Sequence, residues 1–137
     1  MKVLVVVDAQ NDFIDGALGS EEAKKVVPYI ICKIENYTDD DLVIATLDTH
    51  TEEYLNTQEG KFLPVKQCIA DKDGRHLHDS IALPICCSAN VDTVQKNTFG
   101  SKDLPYVISN QTIGKEIEST ELVGYVLDIC VISNALL

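Results

Sequence analysis

Residues 2–8 read KVLVVVD, a run of five apolar residues that ends at Asp8. Continuous apolar runs rich in β-branched residues are typical of strands buried on both faces, as in a parallel sheet covered by helices. Residues 42–48, LVIATLD, repeat this pattern and end at Asp48. The two stretches therefore predict neighbouring parallel strands that place two carboxylates at the same edge of one sheet.

The rest of the chain alternates between helical and strand patterns. Residues 20–37 begin with Ser20 as a helix cap, and their apolar residues recur at helical spacing. The remaining pattern predicts strands at 91–96 and 121–127, a short helix at 109–113, a helix from near Asp128 and a long polar excursion at 49–79. The alternation predicts a single three-layer α/β/α domain over residues 1–137, with a mainly parallel sheet.

Composition restricts the partners that the protein can have. Lys and Arg total 11 against 22 Asp and Glu, giving a formal net charge of −11. Such a chain is a poor ligand for nucleic acid or an anionic membrane surface. No apolar run reaches the roughly 20 residues of a membrane span, so a cytoplasmic protein is expected. The cysteines lack a CxxC pair and predict reduced thiols; they are Cys32, Cys68, Cys86, Cys87 and Cys130.

Chemically active side chains follow the predicted strands. Asp8, Asp48 with His50, Lys96 and Cys130 should meet at one sheet edge, where sites in such folds lie. A cysteine at a helix N-terminus beside a lysine is expected to have a lowered pKa, and a carboxylate nearby can accept its proton. Taken alone, Cys130 would be a core residue, whereas Asp8 and Lys96 would be solvated charges. Their combination favours a catalytic site.

Three segments resemble motifs of the isochorismatase-like cysteine hydrolases, a superfamily that includes nicotinamidases. They are VVVDAQNDFIDGALG at 5–19, KNTFGS at 96–101 and LVGYVLDICVISNAL at 122–136. The resemblance implies that Asp8 is the base, Lys96 polarises the site and Cys130 is the nucleophile. It also implies an oxyanion hole built from the backbone amides of Val126 and Cys130. The implied reaction is hydrolysis of a small carboxamide, such as nicotinamide, through a cysteine thioester.

The same resemblance implies a divalent metal, either zinc, iron or manganese. Its Asp-x-His pair corresponds to Asp48 and His50, and Glu59 is a candidate third ligand. Gln67 stands where the family has a histidine, and glutamine is a poor zinc ligand. Candidate pocket walls are the aromatic residues Phe13, Tyr54 and Phe62.

The chain is shorter than members of that family, which predicts that a last strand and helix are missing. An uncovered sheet edge would then favour a homo-oligomer. Two other functions stay open. The protein can be a hydrolase of another small amide, a carbamoyl compound or an isochorismate-type ether, or an inactive, truncated paralogue that acts as a binding or assembly partner. Adjacent Cys86 and Cys87 match no motif and are interpreted as incidental.

Overall fold

The computed structural model describes residues 1–125 and 127–136. For Leu127 and Asp128 it describes the backbone only. In chain order its main elements are β1 (Lys2–Val7), α1 (Asn11–Ile14), α2 (Glu21–Glu35), β2 (Leu42–Asp48), α3 (Gln58–Phe62), α4 (Asp79–Cys86), β3 (Val91–Lys96), α5 (Leu104–Gln111), β4 (Ser119–Gly124) and α6 (Ile132–Ala135). Short 3-10 turns lie at Glu52–Asn56 and Asp73–Arg75, and a π-helical turn at Leu127–Val131 precedes α6.

The four strands form one parallel sheet in the order β3-β2-β1-β4. Strand β1 lies between β2 and β4, and its apolar residues are fully buried. Parallel pairing brings the carboxyl ends of all four strands to the same edge. The predicted fold class, a three-layer α/β domain with a mainly parallel sheet, is confirmed.

Helices cover both faces of the sheet because side chains alternate along each strand. On one face, Leu4 and Val6 of β1 pack with the apolar sides of α2 and α4. On the other face, Val5 and Val7 pack with α5 and with Cys130 at the end of the chain. Cys130, the candidate nucleophile, is thus part of the hydrophobic core on this second face, and this packing holds it against the sheet.

Several element boundaries differ from the sequence prediction. The helix predicted at 109–113 is α5 at Leu104–Gln111, because Pro105 is suited to the first turn of a helix and starts it earlier. Strand β4 ends at Gly124 rather than at residue 127. Helix α4 was not predicted, since Pro84 lies inside it and argues locally against a helix. In contrast, α2 begins as predicted, with the Ser20 hydroxyl accepting a hydrogen bond from the Ala23 amide at 3.0 Å.

Among the described residues, no helix combines the length and the apolar character needed to cross a membrane.

Candidate active site

Asp8 occupies the first position after β1, where the backbone turns. Its φ of 51° is in the left-handed region, which is uncommon for a residue with a side chain. The turn is held by β2, because the Asp8 amide donates to the Thr46 carbonyl at 3.1 Å. The Thr46 hydroxyl donates to Asp8 Oδ1 at 2.7 Å. The carboxylate is therefore fixed in a single orientation and is fully buried.

Lys96 ends β3 and joins two buried carboxylates. Its Nζ donates to Asp8 Oδ2 at 2.8 Å, to Asp48 Oδ1 at 3.3 Å and to the Thr98 carbonyl at 3.1 Å. The register pairs Lys96 directly with Asp48, so adjacent strands hold the two side chains together. A buried ammonium with three acceptors is fully paired, and removing one carboxylate would leave uncompensated charge.

Cys130 lies in the π-helical turn that follows β4, and it is 2% exposed. Its Sγ, one carboxylate oxygen of Asp8 and one of Asp48 lie within 4.8 Å of one another. The structure therefore brings together Asp8, Lys96 and Cys130, which lie in three separate motif segments of the sequence. Val126, the other residue assigned to the oxyanion hole, lies outside the described residues.

Gly124 allows the chain before Cys130 to pass close to β1. Its φ is +138°, and a Cβ atom there would collide with the carbonyl oxygen of Val7. That same oxygen accepts a hydrogen bond from the Tyr125 amide at 2.9 Å. The close approach places the end of β4 beside Asp8, which directly follows Val7 in the chain.

Burial controls the protonation of the cluster. It raises the pKa of Asp8 to about 6, against the lowering effect of Lys96. For Lys96, burial alone would lower the pKa, but the Asp8 and Asp48 carboxylates outweigh it and raise the pKa. Burial also raises the pKa of the Cys130 thiol, and Asp8 adds to this effect while Lys96 opposes it. The expected lowering of the thiol pKa is therefore wrong, because Cys130 is buried next to a carboxylate.

Asn134 connects the nucleophile turn to the loop that follows Lys96. Its Nδ2 donates to the Cys130 carbonyl at 2.8 Å and to the Phe99 carbonyl at 3.2 Å. Its Oδ1 accepts from the Ser101 amide at 3.0 Å. One buried side chain thus holds the backbone of Cys130 against the loop at 99–101.

Other polar residues of the first motif support the site and were missed as functional residues. Gln10 binds both backbone groups of Asp48, accepting from its amide at 2.8 Å and donating to its carbonyl at 2.7 Å. Asp12 accepts from the Cys68 amide at 2.8 Å. These contacts join β1, β2 and the 49–79 segment, and the motif quoted above already contained both residues.

The predicted metal ligands are engaged with other protein groups. His50 Nε2 lies 2.7 Å from Asp48 Oδ2, and Asp48 Oδ1 contacts Lys96. Both oxygens of Glu59 accept from the Phe99 amide, at 3.1 and 2.9 Å. Gln67 is buried nearby in the chain segment that pairs with His50.

A different group of potential ligand atoms is compact, namely those of Asp8, Asp48 and Cys130. However, the Lys96 ammonium already bonds both of these carboxylates and supplies the positive charge that a metal ion would bring. As the described side chains are arranged, a divalent metal at either donor set would have to displace these contacts.

The predicted pocket aromatics occupy three different environments. The Tyr54 ring is buried, with its centroid 4.5 Å from that of His50. Phe13 packs in the core below α2, whereas Phe62 is largely exposed. Only Tyr54 is placed against a candidate site residue by a ring contact, and the roles of Phe13 and Phe62 as pocket walls stay predictions.

A cavity of about 910 Å³ borders the cluster at Lys96 and is also lined by Thr49 and Ser133. Asp8 is fully buried and Cys130 nearly so, so the two side chains are closed off from solvent. A closed site of this kind keeps water away from the reacting groups.

The fold and the cluster define an α/β protein with a buried Asp-Lys-Cys site at the carboxyl edge of a parallel sheet. A model of the isochorismatase domain matches residues 2–136, and the chain therefore belongs to the isochorismatase family. A comparison with curated proteins gives no match.

Solved structures with similar folds include an N-carbamoylsarcosine amidase, a pyrazinamidase/nicotinamidase and a pyrazinamidase. The N-carbamoylsarcosine amidase of Thermoplasma acidophilum is 26% identical, with a TM-score of 0.76 over 98% of this chain and 73% of that chain. The pyrazinamidase/nicotinamidase of Streptococcus mutans is 24% identical, with a TM-score of 0.81 over 99% of this chain and 78% of that chain. A pyrazinamidase of Pyrococcus horikoshii, solved in complex with zinc, is 22% identical, with a TM-score of 0.71 over 98% of this chain and 76% of that chain.

Proposed function

We propose that the protein is a cysteine amidase that hydrolyses the C–N bond of a small carboxamide. The observation that carries this proposal is the buried cluster of Asp8, Lys96 and Cys130, with a carboxylate of raised pKa close to a protonated thiol. Enzymes use such pairs because an ionised carboxylate can take the thiol proton at the moment of attack. Membership of the isochorismatase family and the similarity to an N-carbamoylsarcosine amidase support the same reaction class.

In the first half of the reaction, Asp8 accepts the proton of Cys130 while the sulfur attacks the carboxamide carbon. A C–S bond forms, and the carbonyl oxygen becomes an oxyanion that the backbone amides of Cys130 and Val126 are proposed to bind. When the C–N bond breaks, Asp8 returns its proton to the departing nitrogen, and ammonia leaves. The product of this half is a thioester on Cys130.

In the second half, Asp8 takes a proton from water as the water oxygen attacks the thioester carbon. The C–S bond breaks, the acid product leaves, and Cys130 recovers its proton. Lys96 remains protonated throughout, because the two carboxylates raise its pKa. Its charge keeps Asp8 and Asp48 close together and limits the rise in the thiol pKa.

No step of this proposal uses a metal ion. Were a divalent ion bound at Asp48, His50 and Glu59, as the family resemblance implies, it would supply a Lewis acid that fixes the substrate. Those side chains instead bond one another, Lys96 and the Phe99 amide. Activity that does not depend on added metal is therefore expected.

The site favours an amide over an isochorismate-type ether. Asp8 and Asp48 lie beside the thiol, and the ammonium of Lys96 is already shared by these two carboxylates. A dicarboxylic ether substrate would bring further negative charge next to these two buried carboxylates. A neutral carboxamide or carbamoyl compound carries no such cost.

We further infer a reducing location and self-association. Exposed Cys32, Cys86 and Cys87 would be prone to oxidation outside a reducing compartment, which favours the cytoplasm.

In the described part of the chain β4 pairs only with β1, and a second copy covering its outer edge would protect it. Size-exclusion chromatography with light scattering tests the homo-oligomer.

The proposal is tested by an ammonia-release screen over small amides, including nicotinamide and carbamoyl compounds. The wild-type protein should release ammonia, and Cys130→Ala should reduce the rate to that of the uncatalysed reaction. Cys87→Ser, which alters an exposed thiol, is the matched control and should retain the wild-type rate. Undiminished turnover by Cys130→Ala would reject the thioester mechanism, and no turnover of any amide by the wild-type protein would favour the inactive paralogue.

A further inference from the structure

The side chain of Gln67 is a buried polar group without a hydrogen-bond partner. It is 1% exposed, and neither Oε1 nor Nε2 is paired with any residue that the structure describes. Leaving a buried amide unpaired costs about 1–3 kcal/mol, and buried polar side chains are nearly always satisfied. The unpaired Gln67 side chain is therefore a candidate to form hydrogen bonds with a ligand that enters the site.

The segment carrying Gln67 is attached to the reaction centre through His50. The His50 amide donates to the Cys68 carbonyl at 2.9 Å, and His50 pairs with Ile69 as a short parallel bridge. The His50 ring contacts Asp48, which in turn contacts Lys96. Gln67 directly precedes Cys68, whose carbonyl is hydrogen-bonded to His50. These contacts therefore fix the position of the Gln67 backbone relative to Lys96.

Tyr54 locates the Gln67 side chain more closely. Burial raises the pKa of the Tyr54 hydroxyl, the adjacent Gln67 amide lowers it, and the charges of Asp48, Glu59 and Cys130 raise it. The Tyr54 hydroxyl donates a hydrogen bond to the Leu63 carbonyl at 2.9 Å. No hydrogen bond joins this hydroxyl to the Gln67 amide. The Gln67 side chain is thus adjacent to the Tyr54 ring, whose centroid lies 4.5 Å from that of His50.

The surroundings of Gln67 select the chemistry of a ligand. The Asp48 carboxylate lies 2.7 Å from the His50 ring on which Tyr54 packs, so an anionic group beside Gln67 would be repelled. A primary amide side chain offers one acceptor and one donor edge, Oε1 and Nε2. Both edges are satisfied at once by a group that presents N–H and C=O side by side. A lone acceptor, such as a pyridine nitrogen, would leave Oε1 unpaired.

We propose that Gln67 recognises the end of the substrate remote from the scissile carboxamide, and that this end is an uncharged amide-like edge such as a lactam, ureido or second carboxamide group. The inference rests on the proposed amidase function and gives it a substrate class. Gln67 Nε2 donates to the carbonyl oxygen of this edge, and Gln67 Oε1 accepts its N–H.

The kinetic test uses three ring carboxamides of similar size that differ at the far end. These are 6-oxo-1,6-dihydropyridine-3-carboxamide, with a lactam edge, nicotinamide, with a ring acceptor only, and benzamide, with neither. We expect kcat/KM of the wild-type protein to favour the lactam over benzamide by about 10- to 100-fold, the range for one well-placed polar contact. Gln67→Met should bring this ratio close to one, and Gln111→Met, at an exposed position, should preserve it. Equal values for all three compounds, or an unchanged ratio in Gln67→Met, would overturn the inference.

A binding test separates this inference from the amidase proposal. In the Cys130→Ala background, millimolar lactam should raise the melting temperature more than benzamide does, and adding Gln67→Met should abolish the difference. This result would support Gln67 recognition even if no amide were hydrolysed. Ammonia release without Gln67-dependent discrimination would support the amidase and reject the Gln67 role.

Two further measurements can contradict the proposal. Without ligand, Gln67→Met should melt at or above the wild-type temperature, because it removes an unpaired buried amide. A strongly destabilised or unfolded variant would show that Gln67 has a structural partner, and would overturn the inference. A second result would also overturn the inference: the purified protein contains a full equivalent of zinc, iron or manganese, and the preference for the lactam over benzamide is lost when a chelator removes the metal.

Discussion

In the proposed mechanism Asp8 accepts the proton of the Cys130 thiol, so the ionisation of Asp8 should set the acid limit of activity. Its pKa of about 6 means that Asp8 is mostly ionised at neutral pH and becomes protonated as the pH falls through 6. A protonated carboxyl cannot accept the thiol proton. We expect kcat/KM for ammonia release to fall on the acid side with an apparent pKa of about 6.

Thr46→Val tests this assignment, because the Thr46 hydroxyl bonds Asp8 Oδ1 and lowers the pKa of the carboxyl. The variant should shift the acid limb of the kcat/KM profile to higher pH while the fold is retained. Thr112→Val, which removes a hydroxyl bonded to the Ile108 carbonyl away from the cluster, is the matched control and should leave the profile unchanged. An acid limb that stays in place in Thr46→Val would argue that another group is the base.

The thiols should differ in reactivity in an order set by burial. Cys32, Cys86 and Cys87 are exposed, whereas Cys68 and Cys130 are buried and have raised pKa values. Because alkylation requires an accessible thiolate, a short pulse of iodoacetamide at pH 7 should modify the exposed cysteines first. Mass spectrometry of peptides measures the order. Early labelling of Cys130 would show that a thiolate exists before substrate binds, and would remove the need for Asp8 as base.

At the scale of elements, Gly124 determines how β4 leads into the nucleophile turn. Gly124→Ala places a Cβ against the Val7 carbonyl at a φ of +138°, so β1 and β4 must separate at their ends. We expect a loss of about 1–3 kcal/mol in the free energy of unfolding, measured by urea denaturation, together with reduced ammonia release.

Gly114 offers the matched control because it also has a positive φ, +75°, but no atom lies within 4 Å of the position that a Cβ would take. Gly114→Ala should cost about 1 kcal/mol from backbone strain alone and leave turnover unchanged. Similar effects of the two substitutions on turnover would mean that the close approach at Val7 does not position Cys130.

For the whole molecule, the apolar runs were sufficient to predict the parallel sheet and the side chains at its edge. β1 and β2 were identified because continuous valine- and isoleucine-rich runs have few alternatives. Helix α4 was missed because Pro84 obscured its local signal, although Ile81 and Ile85 are held by packing on the sheet. Local propensity is a weak guide where tertiary contacts stabilise the helix.

The candidate site was predictable in its members but not in its proton distribution. Motif positions identified Asp8, Lys96 and Cys130, yet burial depends on how α5 and the nucleophile turn pack over the sheet. That packing raises the thiol pKa, against the expectation from a helix terminus and a lysine. Hydrogen bonds from Thr46 and Asn134 likewise depend on the register of strands and loops, which single residues do not reveal.

The pairing of β1 with β4 has a consequence for how the protein is made. Lys2 pairs with Ser119 and Val7 with Gly124, so β1 meets one of its neighbours only after residues 119–124 have been synthesised. Until then, one edge of a strongly apolar strand stays open, and contacts between residues so distant in sequence form slowly. Synthesis from the ribosome therefore delivers Asp8 early and Cys130 much later, and a nascent chain that has not reached Cys130 lacks the assembled Asp-Lys-Cys cluster.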